Sequence, residues 1–222
     1  MILFQFEPVI VGPLHHSMIN RMRQEFIGAV QANRSIFGVE LSHEKIERLA
    51  DYFELLQQSN HLLHLIAPCS PEEFAIRHVL ESLVLLSYLP ENARFADIGT
   101  GGGLPSIPCL IVRDDLRAFL IETKEKKARF LMQTLDRLGL VDRARVVNRQ
   151  FEEVKERDFS YVTCRALDRF ADKLSRLIKW SGGRKLILFG GPSLAEALQS
   201  RKVHFEERLI PLSERRYVYV AN

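Results

Sequence analysis

The chain has 222 residues, 46% of them apolar and 27% charged, with a formal net charge of +3, which is ordinary for a soluble globular protein with one sizeable core. No apolar run approaches the ~20 residues of a membrane span, and Cys69, Cys109 and Cys164 are too few and too far apart for a disulfide framework or a zinc site. The charge is lopsided: residues 1–90 balance at −4 and residues 91–222 at +7, an excess that suits a polyanionic partner.

Met1 to Val11 is apolar but lacks a basic start and contains Glu7 and Pro8, so it reads as a packed or loosely ordered tail rather than a signal peptide. From about Met22 to Tyr88 the pattern is helical. Ser42 precedes a stripe of Ile46, Leu49, Phe53 and Leu56 at helical spacing. Ser70, Pro71 and Glu73 form a capping box that starts a helix running through Phe74, Val79, Leu80, Leu83, Val84 and Leu86 to Leu89, where Pro90 ends it. Beyond Pro90, strands are expected at 94–98, 117–122, 144–148, 161–165 and 185–189, with helices between them, for instance 126–138 closed by Gly139. That rhythm predicts a mainly parallel, doubly wound sheet. A helix at 193–199 and strands at 203–209 and 216–220 follow, and the short link between these strands forces an antiparallel hairpin. The chain thus divides into a tail and helical appendage (1–90) and an α/β domain (91–222), packed as one unit.

The most informative stretch is Phe95-Ala96-Asp97-Ile98-Gly99-Thr100-Gly101-Gly102-Gly103-Leu104-Pro105. A strand runs into a loop with few side chains that opens a helix, an arrangement that lets backbone N–H groups approach a charged ligand. Gly99 and Gly101 fit a dinucleotide fingerprint but Leu104 takes the place of its last glycine, which disfavours nicotinamide or flavin. Asp97 instead stands where S-adenosylmethionine enzymes carry an acid beside the methionine portion, and a parallel sheet finished by an antiparallel hairpin is their variation on the Rossmann-like theme. An ordinary glycine turn is the alternative.

In such a sheet the ligand sits beyond the carboxyl ends of the central strands. Glu122, 19 residues past Gly103, has two oxygens for two ribose hydroxyls, or is a helix cap or a solvated acid. Phe151 walls an adenine with Glu152 nearby, or is simply core. Arg165 holds a cofactor carboxylate, a phosphate or a base edge, or pairs with Asp97 or Glu122. Cys164 reads as a small hydrophobe rather than a nucleophile. Between Lys124 and Arg149 lie eight cations and only three acids; Lys126, Lys127 and Arg129 stand among them as a phosphate-contacting face or a solvated one. His78, near Arg77 and Glu81, reads as a packing residue, and no cluster has metal-ligand spacing.

The chain resembles the RsmG (GidB) family of bacterial small-subunit rRNA guanine-N7 methyltransferases over roughly Gln24 to Val220. The resemblance is carried by Leu41-Ser42 with Tyr52-Phe53-Glu54-Leu55-Leu56, by Arg77-His78-Val79-Leu80-Glu81-Ser82-Leu83, by Asp97 through Pro108, by Lys127-Ala128-Arg129-Phe130-Leu131 and by Arg165-Ala166. It implies that Gly99, Leu104, Phe151-Glu152 and Arg165 contact S-adenosylmethionine and that the substrate is a guanine of 16S rRNA, methylated in the cytoplasm without metal. Arg165 is then a catalytic candidate in a mechanism of positioning, and Arg77 and His78 join the three basic residues as RNA candidates. The chain differs from the family pattern at Ser59-Asn60, His64-Leu65-Ile66, Glu81, Ser106 and Phe189. Another RNA or a small molecule as substrate, or an RNA-binding paralogue that has lost catalysis, are the alternatives.

Overall fold

The computed structural model describes residues 13–165 and 170–221; Met1 to Val11 and Ala166 lie outside the described residues. The described strands are β1 (Arg94–Ile98), β2 (Arg117–Ile121), β3 (Ala144–Val147), β4 (Tyr161–Arg165), β5 (Lys185–Gly190), β6 (Phe205–Leu209) and β7 (Tyr217–Ala221). They form one sheet in the order β3-β2-β1-β4-β5-β7-β6. β1 to β5 are mutually parallel, and β7 runs antiparallel to both β5 and β6. The direction of winding reverses between β1 and β4, so their carboxyl ends flank the crevice where doubly wound sheets bind ligands.

Side chains alternate between the faces, as the pleat requires. Phe95, Leu120 and Ile187 enter a core shared with the N-terminal helices, whereas Ala96, Ile98, Val162 and Leu188 enter a second core around Trp180. Asp97, two residues on from Phe95, therefore points to the side of the N-terminal helices.

Those helices are α1 (Pro13–Asn33), α2 (His43–Leu63), α3 (Pro71–Phe74) and α4 (Glu81–Leu83). α1 starts well before the expected Met22; residues 17–25 include no buried position to announce it, and Phe26, Ile27, Ala29 and Val30 carry it into the core. Ser42 and Ser70 cap α2 and α3 through their side chains, and Pro71 occupies the first turn. Only half of the expected capping box forms, since the Glu73 carboxylate turns to Arg77. Phe53 stacks on Phe26 with centroids 4.9 Å apart, and Phe74 packs on both. The single helix expected after Ser70 is interrupted: a π turn spans Ala75–Leu80 and a 3-10 turn, Val84–Tyr88, follows α4.

The remaining helices are α5 (Ser106–Val112), α6 (Glu125–Arg137), α7 (Phe170–Ser181) and α8 (Pro192–Ser200). Gly139 ends α6 region at φ +64°, the left-handed position expected of it. β6 begins two residues later than expected, because Lys202 adopts φ +56° and the Val203 N–H bonds back to Leu198. α2 packs on α5 and α6, and α4 on α5, which brings the N-terminal helices against the loop after β1. No helix among the described residues is long and apolar enough to cross a membrane.

Candidate functional site

The loop after β1 is held from below by backbone bonds. The Gly99 N–H donates to the Ile121 carbonyl at 2.8 Å and the Gly103 N–H to that of Thr100 at 2.8 Å. Gly101, at φ +57°, would carry a Cβ into space where only the Gly99 carbonyl lies within reach, at 3.8 Å. A side chain there fills the mouth of the loop. Gly102 faces the other way, where a Cβ meets Leu56 Cδ1 at 3.1 Å.

The Tyr52 hydroxyl on α2 donates to the Gly102 carbonyl at 2.9 Å, and Tyr52 is fully buried. Sequence reasoning gave Tyr52 no role at the site. The signal was present: Tyr52 continues the Leu49–Leu56 stripe, and a hydroxyl on a buried stripe needs a partner. Tyr52→Phe leaves that carbonyl unpaired, so a loss of about 1–2 kcal/mol in urea unfolding is expected.

Asp97 is fully buried. Its Oδ2 accepts the Ser106 hydroxyl at 2.6 Å, from the first residue of α5. Its Oδ1 and the Thr100 hydroxyl are buried with no hydrogen-bond partner among the described residues, even though Thr100 lies close enough to favour the ionised carboxyl. Burial pushes the Asp97 carboxyl up to about 7 against the opposing pull of Ser106 and Thr100. Asp97 Oδ1 and the Thr100 hydroxyl are thus buried close to one another beneath the glycine loop, and neither has a partner at full hydrogen-bond geometry among the described residues.

Glu122, just past β2, closes the other side. Its Oε2 accepts the Gly101 N–H at 3.0 Å and its Oε1 the Lys124 N–H at 2.8 Å, while its carbonyl takes Asn148 Nδ2 at 2.8 Å. Glu122 thus ties the loop to the ends of β2 and β3, and each oxygen retains a lone pair for a ligand hydroxyl. Leu104 is buried in the core beneath the loop. Phe151 opens a 3-10 turn (Phe151–Glu153) and packs edge-on to Trp180 at 5.6 Å; Glu152 reaches Arg176 at 2.8 Å.

Arg165, read as a ligand contact or, alternatively, a partner of Asp97 or Glu122, pairs with neither acid. Its guanidinium turns to the π turn, donating to the His78 carbonyl at 3.2 Å, to the Arg77 carbonyl and to Ser82 Oγ at 2.9 Å, with Glu81 at 3.4 Å. Arg77, His78 and Arg165 are thereby brought together, through the backbone of the first two. Burial, then the Arg165 charge, pulls His78 down to about 4, so its ring, tilted against Phe74 with centroids 5.3 Å apart, is neutral at pH 7. The eight cations between Lys124 and Arg149 do not form one face, because α6 runs back across the sheet and carries Arg137 to the opposite pole from Lys126. Lys126 is exposed, Lys127 donates to the His64 carbonyl at 3.1 Å, and Arg129 pairs with Glu125.

This site stands on a sequence whose relatives are recognisable. The family model described as rRNA small subunit methyltransferase G matches residues 45–215. The chain belongs to that family. A ribosomal RNA small subunit methyltransferase G of Neisseria meningitidis is 33% identical over 153 residues, covering 69% of this chain and 72% of the relative. One from Sorangium cellulosum is 41% identical over 139 residues, covering 60% and 58%. Among solved structures, the chain superposes on the B. subtilis M1A22 tRNA methyltransferase TrmK (TM-score 0.51, 21% identity, 64% of each chain). It also superposes on the METTL16 methyltransferase domain (TM-score 0.52, 13% identity, 79% of this chain and 96% of that one). These likenesses establish the Rossmann-like methyltransferase fold.

Proposed function

We propose that the protein transfers a methyl group from S-adenosylmethionine to N7 of a guanine in small-subunit ribosomal RNA, in the bacterial cytoplasm. The observation that carries this reading is the family match over residues 45–215. The cradle supports it: a cationic donor suits the buried Asp97 carboxyl, whose Oδ1 has no full hydrogen bond among the described residues, and Gly101 leaves room for it. Asp97, Gly99, Gly101, Gly103 and Leu104 would hold its methionine side, Glu122 its ribose, and the turn at Phe151-Glu152 its base. When bound, that donor supplies an electrophilic methyl on a sulfonium.

The chain's own work is positioning. Guanine N7 carries a lone pair and no proton at neutral pH, so no general base is needed. Holding two reactants in line is worth ~7–11 kcal/mol of barrier. The glycine loop and Glu122 are suited to that task because both are cross-braced by backbone bonds. Lys126 and its neighbours at the carboxyl pole are the proposed RNA contacts.

Deletion of the gene followed by mass spectrometry of small-subunit rRNA is expected to remove one 7-methylguanosine; unchanged content overturns the reading. Lys126→Glu is expected to weaken RNA binding and to reduce its log–log salt slope by about 0.7–0.9 while sparing donor affinity. The single variant is the clean test, since Lys127 also ties α6 to the end of α2.

A further inference from the structure

Glu81 belongs to no part of the glycine loop, yet it is only 1% exposed. Its carboxylate takes Arg165 from the end of β4 at 3.4 Å and Arg216, at the foot of β7, through Nε at 2.7 Å and Nη2 at 2.6 Å. Three stretches of chain far apart in sequence converge on one buried acid. The Arg165 guanidinium is further satisfied by Ser82 and by two carbonyls of the π turn. Such carbonyls are open to a side-chain donor because a π turn departs from the regular α-helical ladder.

We infer that Glu81 is a positioning residue for methyl transfer: by clamping Arg165 and Arg216 it fixes the carboxyl end of β4 beside the glycine loop. This rests on the proposed function. Register makes the connection direct. Ile98 pairs with Cys164, so Arg165 lies alongside Gly99, the first residue of the loop. The same short helix also touches the support of the donor cradle, since Cys109 Sγ on α5 donates to the Ser82 carbonyl at 3.3 Å and α5 supplies Ser106 to Asp97. A buried ion pair adds little stability over apolar packing of the same volume, but it is directional. Arg216 grips Glu81 Oε1 with two nitrogens while Arg165 Nη2 faces Oε2, so one carboxylate holds two strand ends at a set angle, which apolar contact does not. A groove of about 300 Å³ lined by Ile76, Arg77, Leu212 and Arg216 lies beside the clamp and leaves part of Arg216 in solvent.

The test uses the full chain as wild type, Glu81→Gln and Arg216→Gln, with donor affinity by calorimetry and kcat and KM on unmethylated small-subunit rRNA. Folded Glu81→Gln is expected to lose about tenfold or more in kcat while its donor Kd stays within about threefold of wild type. Arg216→Gln, which leaves Arg165 paired, is expected to lose roughly threefold in kcat and carries the test if Glu81→Gln does not fold. Wild-type kcat in either folded variant overturns the inference, as does a fall in kcat matched by an equal fall in donor affinity. If the wild type itself leaves this RNA unmethylated, the proposed function falls instead. The clamp is then read by amide hydrogen exchange of residues 161–165: about tenfold faster exchange in a folded variant supports it, and unchanged exchange overturns it.

Discussion

Gly103→Ala is expected to cost about 3–5 kcal/mol of stability, much of what a domain this size possesses. Gly103 sits at φ +98°, where an L side chain is strained. Its Cβ would also lie 2.3 Å from Ile107 Cδ1, 2.8 Å from Ile107 Cγ1 and 3.3 Å from Leu131 Cδ2. Ile107 and Leu131 are both fully buried, so neither has space to retreat. Relief has to come from the loop itself, which the Tyr52 hydroxyl and Glu122 hold in place. Urea unfolding at several temperatures measures the loss, and calorimetry on the folded fraction is expected to show donor binding lost as well. Gly101→Ala is the control: its Cβ meets nothing closer than 3.8 Å, so it should fold with a smaller strain penalty and lose donor affinity by filling the mouth. A Gly103→Ala protein as stable as wild type, binding donor normally, contradicts this geometry.

Asp97→Asn is expected to separate stability from binding. In the folded protein without donor the Asp97 carboxyl titrates at about 7, against 3.8 for an unperturbed one. The folded state therefore keeps a proton that the unfolded chain has released between those values. Stability falls as pH rises through that window and levels off above it, a penalty of a few kcal/mol at most. Asparagine removes the penalty, so the variant without donor should melt higher than wild type at about pH 8 and show less pH dependence between about 5.5 and 8. The donor is cationic and favours the ionised carboxyl. Its affinity for wild type should strengthen as pH rises towards and past 7, and Asp97→Asn should weaken it by about 10–100-fold, the value of a charge-assisted contact. Equal donor affinity in the two proteins would remove Asp97 from the proposed site.

The ends of β1 and β4 show how much was legible beforehand. Alternating apolar segments, the capping serines and the short final link mark the doubly wound sheet and its antiparallel finish, because each is a local rule with a local residue pattern. The glycine loop is legible for the same reason: a positive φ at Gly99, Gly101 and Gly103 is a property of single residues. The π turn was not, since the stripe from Phe74 to Leu86 suits a plain α-helix and what occupies its carbonyls is an arginine more than eighty residues away in sequence. The partner of Arg165 was missed on the same ground. An acid inside the apolar run at Leu80-Glu81-Ser82 signals that a cation must come, and nothing in the run says from where.

The sequence by itself determined the sheet, the loop and the family, through periodicity, turn chemistry and matching strings read over short spans. Tertiary structure alone decided which polar groups meet: Tyr52 on Gly102, Ser106 on Asp97, Lys127 on His64 and Glu81 between two arginines. A buried donor or acceptor must be satisfied, but any complementary group that packing brings near will do. The choice is made when the layers close.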